Sequence, residues 1–185
     1  MNTLHEYRIP FVGLKNGLHY FNFEVNDGFF EHFETSLVAK GKVFVDISLD
    51  RRTHVMTLTF DIGGQVHTEC DRCLEPVDIP IHGHHKLFVK ISHNQSGSDP
   101  SFELDKGSDD VLLIGQDATH IELAGPIHEF IQLSVPIQRN CDELPEDQKP
   151  CNQEVIKKLN GEDVANKKEE NEKPIDPRWD KLRNL

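Results

Sequence analysis

The sequence predicts an α+β domain: a bent antiparallel sheet or small open β-barrel, with one packed helix across it and a short C-terminal helix. Three observations carry this. Val43, Val45, Ile47 and Leu49 alternate with Phe44, Asp46 and Ser48, and Met56, Leu58, Phe60 and Ile62 alternate with Thr57, Thr59 and Asp61. Period-two alternation of this kind marks strands that bury one face. Asp50-Arg51-Arg52-Thr53 between the two runs is of hairpin length, which makes the strands antiparallel neighbours. After Gly125-Pro126 the spacing changes to helical, with Ile127, Phe130, Ile131 and Val135 on one face and Pro136 as the stop.

The other elements follow from shorter signals. A lead-in strand is expected around Ile9-Pro10-Phe11-Val12, closed by a turn at Lys15-Asn16-Gly17. Leu18 to Val25 alternates as a second strand, Asn26-Asp27-Gly28 breaks it, and Phe29, Phe30 and Phe33 suit a single helical turn. Gly63-Gly64 reads as a bulge or bend that re-aims its strand. From Val77 to Ile91 the apolar residues keep to odd positions, so one long bent strand, or two in line, is expected. Within it, His82-Gly83-His84-His85 reads as the polar face of an exposed strand rather than a metal cluster. Residues 92–110 are a polar loop, and Val111–Ile114 and His120–Leu123 are short strands. The domain is expected to span residues 1–156. A charged flexible linker then covers 157–174, and a short helix covers 175–185.

Composition bounds the function. At 185 residues the chain is long enough for one real core, and no apolar run approaches the roughly 18 residues of a membrane span. The first residues lack a basic start followed by an apolar block, so a cytoplasmic protein without a secretory signal is expected. The net charge is −12, and residues 1–135 carry −10 of it, with ten Lys/Arg against twenty Asp/Glu. Such a body repels phosphate backbones, so direct RNA binding is expected to be weak and a basic protein partner is favoured. No Gly-x-Ser-x-Gly elbow, phosphate-cradling glycine loop or His-Glu-x-x-His helix is present, and no enzyme is expected. Arg51, Arg52 and Arg72 are candidates for a small basic spot, worth little as isolated surface charges.

The four cysteines carry the chemistry. Cys70-Asp71-Arg72-Cys73 has knuckle spacing, because two intervening residues let both sulfurs face one point. Cys141 and Cys151 form a looser pair, with nine residues between them. Three readings stand at this level. All four thiolates hold a structural zinc ion; Cys70 and Cys73 form a redox dithiol; or the thiols are incidental. A reducing cytosol favours metal over a disulfide. The redox reading wants a helix N-terminus behind the motif, whereas Leu74-Glu75-Pro76 leads into a strand.

The chain's end is a further candidate site. Asp176 is placed to cap a helix and Pro177 to start it, with Arg178 following and Trp179 and Leu182 on one face. A helix this short falls below the roughly 12–15 residues that are marginally stable alone, so it is expected to dock. The docking surface is either a partner or the parent domain.

Cys70-Asp71-Arg72-Cys73-Leu74, the helix running into Leu133-Ser134-Val135-Pro136, the Cys141/Cys151 pair and Asp176-Pro177-Arg178-Trp179-Asp180-Lys181-Leu182 together resemble the YceD family, from about Gly63 onward. The resemblance implies that Cys70, Cys73, Cys141 and Cys151 are that family's paired cysteines. It also implies a role in the accumulation and processing of large-subunit ribosomal RNA. The function expected is thus a non-enzymatic ribosome-biogenesis factor whose partner is a large-subunit ribosomal precursor or a basic ribosomal protein. The alternative is a metal- or redox-responsive regulatory protein that acts on ribosomes indirectly.

Overall fold

The computed structural model describes residues 3–34, 36–53, 55–92, 111–141, 144 and 151–160. Residues 93–110 of the expected polar loop, and residues 161–185 with most of the expected linker and the docking helix, lie outside the described residues.

After a 3-10 turn at Thr3–Glu6 come β1 (Arg8–Pro10), β2 (Gly17–Val25), α1 (Asp27–Phe30), β3 (Lys40–Arg51), β4 (Val55–Glu69) and β5 (Pro76–Ser92). They are followed by β6 (Val111–Gly115), β7 (His120–Glu122), α2 (Ala124–Ser134) and α3 (Gln153–Leu159). The main sheet has the order β2-β3-β4-β5-β6, antiparallel throughout except for the parallel β5–β6 pair. β1 and β7 form a separate antiparallel pair. The α+β class is therefore as expected, and the sheet is open rather than a closed barrel.

The alternation works as the pattern requires. Val43, Val45, Ile47 and Leu49 on β3 and Met56, Leu58, Phe60 and Ile62 on β4 are all buried on one face. Burying each such side chain is worth about 1.5–3 kcal/mol. α2 covers this face: Phe130 meets Phe60 edge-on at 5.0 Å and stacks on His85 at 4.7 Å. Phe29 and Phe30 of α1 are buried in the same core with Ile9, Ile121 and Ile127. Among the described residues His128 is the one buried histidine, stacked on Phe33 at 3.8 Å, and burial pushes its pKa down.

The histidine run splits between the two faces. His82 and His84 are exposed, with His84 Nδ1 2.6 Å from Asp61 Oδ1, while His85 turns inward and meets Ser134 Oγ at 3.1 Å. The arginines do not converge either. Arg51 and Arg52 precede β4 and Arg72 follows it, with the fifteen residues of that strand between them. α3 was not expected, and it carries ordered helix through Lys157-Lys158-Leu159, across the expected domain edge.

Gly63-Gly64 is not a bulge. The β3–β4 register runs one to one through Val43↔Gly64 and Phe44↔Gly63, and β4–β5 is equally continuous. The glycine answers a close approach instead. A Cβ on Gly64 would overlap the Lys42 carbonyl oxygen and lie 2.7 Å from Val43 Cα. Gly64→Ala is therefore expected to lower stability by about 1–3 kcal/mol, seen as a lower urea midpoint at unchanged slope. Gly63→Ala, whose added carbon would meet His82 Nδ1 only at 3.7 Å, should be close to neutral in the same measurement.

Candidate metal centre

β4 ends at Glu69 and β5 begins at Pro76, so the first cysteine pair occupies the loop joining the two longest strands. Cys70 N donates to Glu75 O at 3.0 Å and Leu74 N donates to Cys70 O at 2.9 Å. These bonds wind the loop tightly, and Leu74 completes it at φ +62°, a left-handed conformation uncommon outside glycine. The winding turns Cys70 and Cys73 to one side, both buried.

Cys141 comes from the segment after α2. The Sγ atoms of Cys70, Cys73 and Cys141 all lie within 4.8 Å of one another, with Cys73 and Cys141 3.5 Å apart. None of the four cysteines is in a disulfide. Cys151 is half-buried and packs on the same cluster together with Leu144 and Ile156. It hydrogen bonds to the Cys141 thiol but falls outside the tight group of three. The structure thus gathers three of the sequence-predicted ligands and leaves the fourth beside Cys141.

Two polar ties that the sequence reading missed hold the arms together. Asp71 N donates to Arg139 O and Arg139 N donates to Asp71 Oδ2, both at 2.9 Å. The Arg139 guanidinium reaches Asp71 Oδ1 at 2.6 Å and Thr68 Oγ1 at 3.1 Å. The backbone N–H and side chain of Arg139 hold the Asp71 carboxyl below its ordinary value. On the other arm, Asn152 caps α3 by accepting from Glu154 N and Val155 N, and its Nδ2 donates to Glu75 Oε1 at 2.9 Å. Asn152 was findable as an N-cap before Glu154-Val155-Ile156. Arg139, sixty-eight residues from Asp71, carries no local signal.

The electrostatics suit a cation. Burial pushes the Cys70 thiol up, but backbone N–H groups of Cys73 and Arg72 and the Cys141 thiol outweigh it and lower it to about 7. Burial pushes Cys141 up, and its hydrogen bonds to the other three thiols add to this. Such a set ionises fully only with a positive charge in its midst. Zinc–sulfur bonds of about 2.3 Å in a tetrahedron place sulfurs about 3.8 Å apart; the Cys73 and Cys141 sulfurs are 3.5 Å apart, and all three lie within 4.8 Å of one another. The three thiols lie close enough together to hold a metal ion.

A family model described as Large ribosomal RNA subunit accumulation protein YceD matches residues 58–185. The chain belongs to the YceD family. Neither a curated protein nor a solved structure matches it. The YceD match opens inside β4 and takes in both arms of the cysteine centre, while β1 to β3 precede it. The family description ties the chain to accumulation of large-subunit ribosomal RNA. Among the described residues no helix is long and apolar enough to cross a membrane. The candidate docking residues Asp176, Pro177, Arg178, Trp179 and Leu182 fall within the YceD match but outside the described residues.

Arg139→Ala removes the guanidinium bonds across the two arms while leaving the cysteines intact. The pair is part-exposed, so the expected global cost is about 1 kcal/mol. Locally the arms should part more often, and labelling of Cys141 in metal-free protein should rise about five-fold, the factor that such an energy commands. An unchanged labelling rate would show that the clasp does not hold the arms.

Proposed function

We propose that this YceD protein is a non-enzymatic factor in biogenesis of the large ribosomal subunit, supporting the processing and accumulation of its RNA. In this reading Cys70, Cys73, Cys141 and Cys151 hold a structural zinc ion. The observation that carries it is the meeting of three buried thiols, within 4.8 Å, from the β4–β5 loop and the segment after α2. Bound zinc supplies a thiolate cross-link between those segments. Cys70, Cys73 and Cys141 are enclosed in the fold and Cys151 is half-buried, as suits a closed structural site, whereas catalytic sites keep an open position. We read the role as binding rather than catalysis for that reason.

The chain's −12 charge favours a basic ribosomal protein, or a precursor particle that displays one, over naked RNA. We place the protein in the cytoplasm, where precursors assemble and thiols stay reduced. Asp176, Pro177, Arg178, Trp179 and Leu182 serve as the docking element, with Trp179 as its anchor. The second reading, a metal- or redox-responsive regulator acting indirectly on ribosomes, is favoured by one distance. Cys73 and Cys141 sulfurs lie 3.5 Å apart, and an oxidant that takes two electrons and two protons would join them.

Metal analysis separates these readings. Anaerobically purified protein should carry one zinc per chain, and Cys70→Ser should lose it and loosen both arms. Metal-free protein with a reversible Cys73–Cys141 disulfide would favour the regulator instead.

The ribosomal role is tested by co-sedimentation with large-subunit precursors. Wild type should travel with them, and Trp179→Ala should weaken the association at least ten-fold, about 1.4 kcal/mol. Binding to protein-free ribosomal RNA should be weak at physiological salt. Nanomolar binding to bare RNA, or no association with precursors, would reject the reading.

A further inference from the structure

The open sheet leaves β2 as its terminal strand on one side, and the direction of the β2 backbone can be worked out. Arg52 N donates to Val55 O at 3.1 Å, so even-numbered residues of β3 bond to β4. Odd-numbered residues of β3 therefore face β2, where their partners are Gly17, His19, Phe21, Phe23 and Val25. The N–H and C=O groups of Leu18, Tyr20, Asn22 and Glu24 point away from the sheet. An independent contact agrees: the Tyr7 hydroxyl donates to Glu24 O at 3.0 Å and closes that end of the edge. Among the described residues, the backbone groups of Leu18, Tyr20 and Asn22 have no partner beyond that edge.

Edges of this length are ordinarily guarded by lysine, proline, a bulge or an inward charge. Residues 17–23 have none: Gly-Leu-His-Tyr-Phe-Asn-Phe contains no Asp, Glu, Lys, Arg or Pro, and the β2–β3 register is continuous. Tyr20 is 73% exposed and Leu18 53% exposed on the outer face. Phe21 and Phe23 are only half-buried on the inner one.

We propose that β2 is a self-association edge, pairing antiparallel with β2 of a second copy about a two-fold axis at Tyr20. This register opposes Tyr20 to Tyr20 and Leu18 to Asn22, and it uses the three outward residues of each copy. His19 then faces Phe21 on the inner side. The ladder stops where it must, because Gly17 opposes Phe23 and the next carbonyl, that of Glu24, is already held by Tyr7. Charge is compatible with the same register. Two copies each at −12 repel, but the paired stretch is uncharged, and each Glu24 at its ends opposes Asn16 and keeps its own ion pair with Lys42 at 3.2 Å. A basic extended peptide would find no acidic residue between 17 and 23 to select it. This inference is independent of the zinc and ribosome readings.

One strand pair is smaller than the roughly 1,200 Å² of a standard interface, so a weak dimer is expected. Sedimentation equilibrium of the full chain up to about 0.5 mM should show dimer with a Kd near 100 μM. Tyr20→Lys should abolish it, while Leu37→Lys, at an exposed apolar site off β2, should not; circular dichroism melts confirm that both fold. The register has its own test. Opposed hydrogen-bonded residues lie about 5.5 Å apart at Cα, within disulfide reach. Tyr20→Cys should therefore give a covalent dimer on mild oxidation, and Asn22→Cys, which opposes Leu18, should not. A wild type that stays monomeric at this concentration overturns the proposal, as does a dimer indifferent to Tyr20→Lys. Equal cross-linking from Asn22→Cys overturns the register and with it the two-fold at Tyr20.

Discussion

The pairing of β4 with β5 is the constraint on which the remaining structure depends. Fifteen residue pairs run unbroken from Val55↔Lys90 to Glu69↔Pro76. One register over that length sends every even residue of β4 and every odd residue of β5 to the same face. A slip of one residue would turn Leu58, Phe60, Leu87 and Val89 outward together. The same ladder fixes where the chemistry sits, because Cys70 and Cys73 lie in the loop that joins its two strands. It also separates the cysteines from the main core. Cys70, Cys73, Val77, Ile79 and Cys141 form a second, small cluster of their own.

That separation explains why the cysteine end is tied by polar contacts. A cluster of five small or medium side chains buries little apolar surface, and the cost of ordering the segment after α2 rises with every residue fixed. Asp71–Arg139, the Asn152–Glu75 bond and the packing of Ile156 each hold one strand of that segment. Each is part-exposed and individually modest. Under the proposed zinc reading, thiolates gathered on the ion would add a tie of a different size, since structural zinc contributes folding free energy outright. The thiols and the polar clasp are complementary: the clasp sets the arms near each other, so that a metal ion would meet arms already placed.

The sheet and α2 were legible in the sequence because one buried face leaves a periodic imprint. β3, β4, β5 and α2 show it plainly, and Asp50 to Thr53 announced the hairpin. Gly63-Gly64 misled because a glycine in a strand has two physical uses, a bulge or a close approach, and only the neighbouring strand decides between them. α3 was missed because seven residues with Lys157-Lys158 in the last turn resemble the charged stretch that follows. Its stability comes from the Asn152 cap and from Ile156 packing on the cysteines. The parallel β5–β6 pair had no local mark, since its connection carries no periodicity. For the site, cysteine spacing revealed the ligands but not the clasp, because Arg139 is distant in sequence and looks like any surface arginine.

The YceD match begins at Leu58, yet the fold does not begin there. β3 lies along β4 from Lys40↔His67 to Arg51↔Met56, and its Val43, Val45, Ile47 and Leu49 complete the layer that α2 covers. Without β3, the buried face of β4 would lose its neighbours on one side, and the backbone of β4 would become an edge. β2 covers β3 in the same way, and Tyr7, with the β1–β7 pair beyond it, closes one end of β2. The strands before the matched region thus sustain the β4–β5 ladder, whose tip carries the cysteines. Each added strand passes the open edge outward until β2, where residues 17–23 are uncharged and the inner face is only half covered. The N-terminal half therefore makes two contributions to the molecule: a support for the matched region and the place where the sheet remains open.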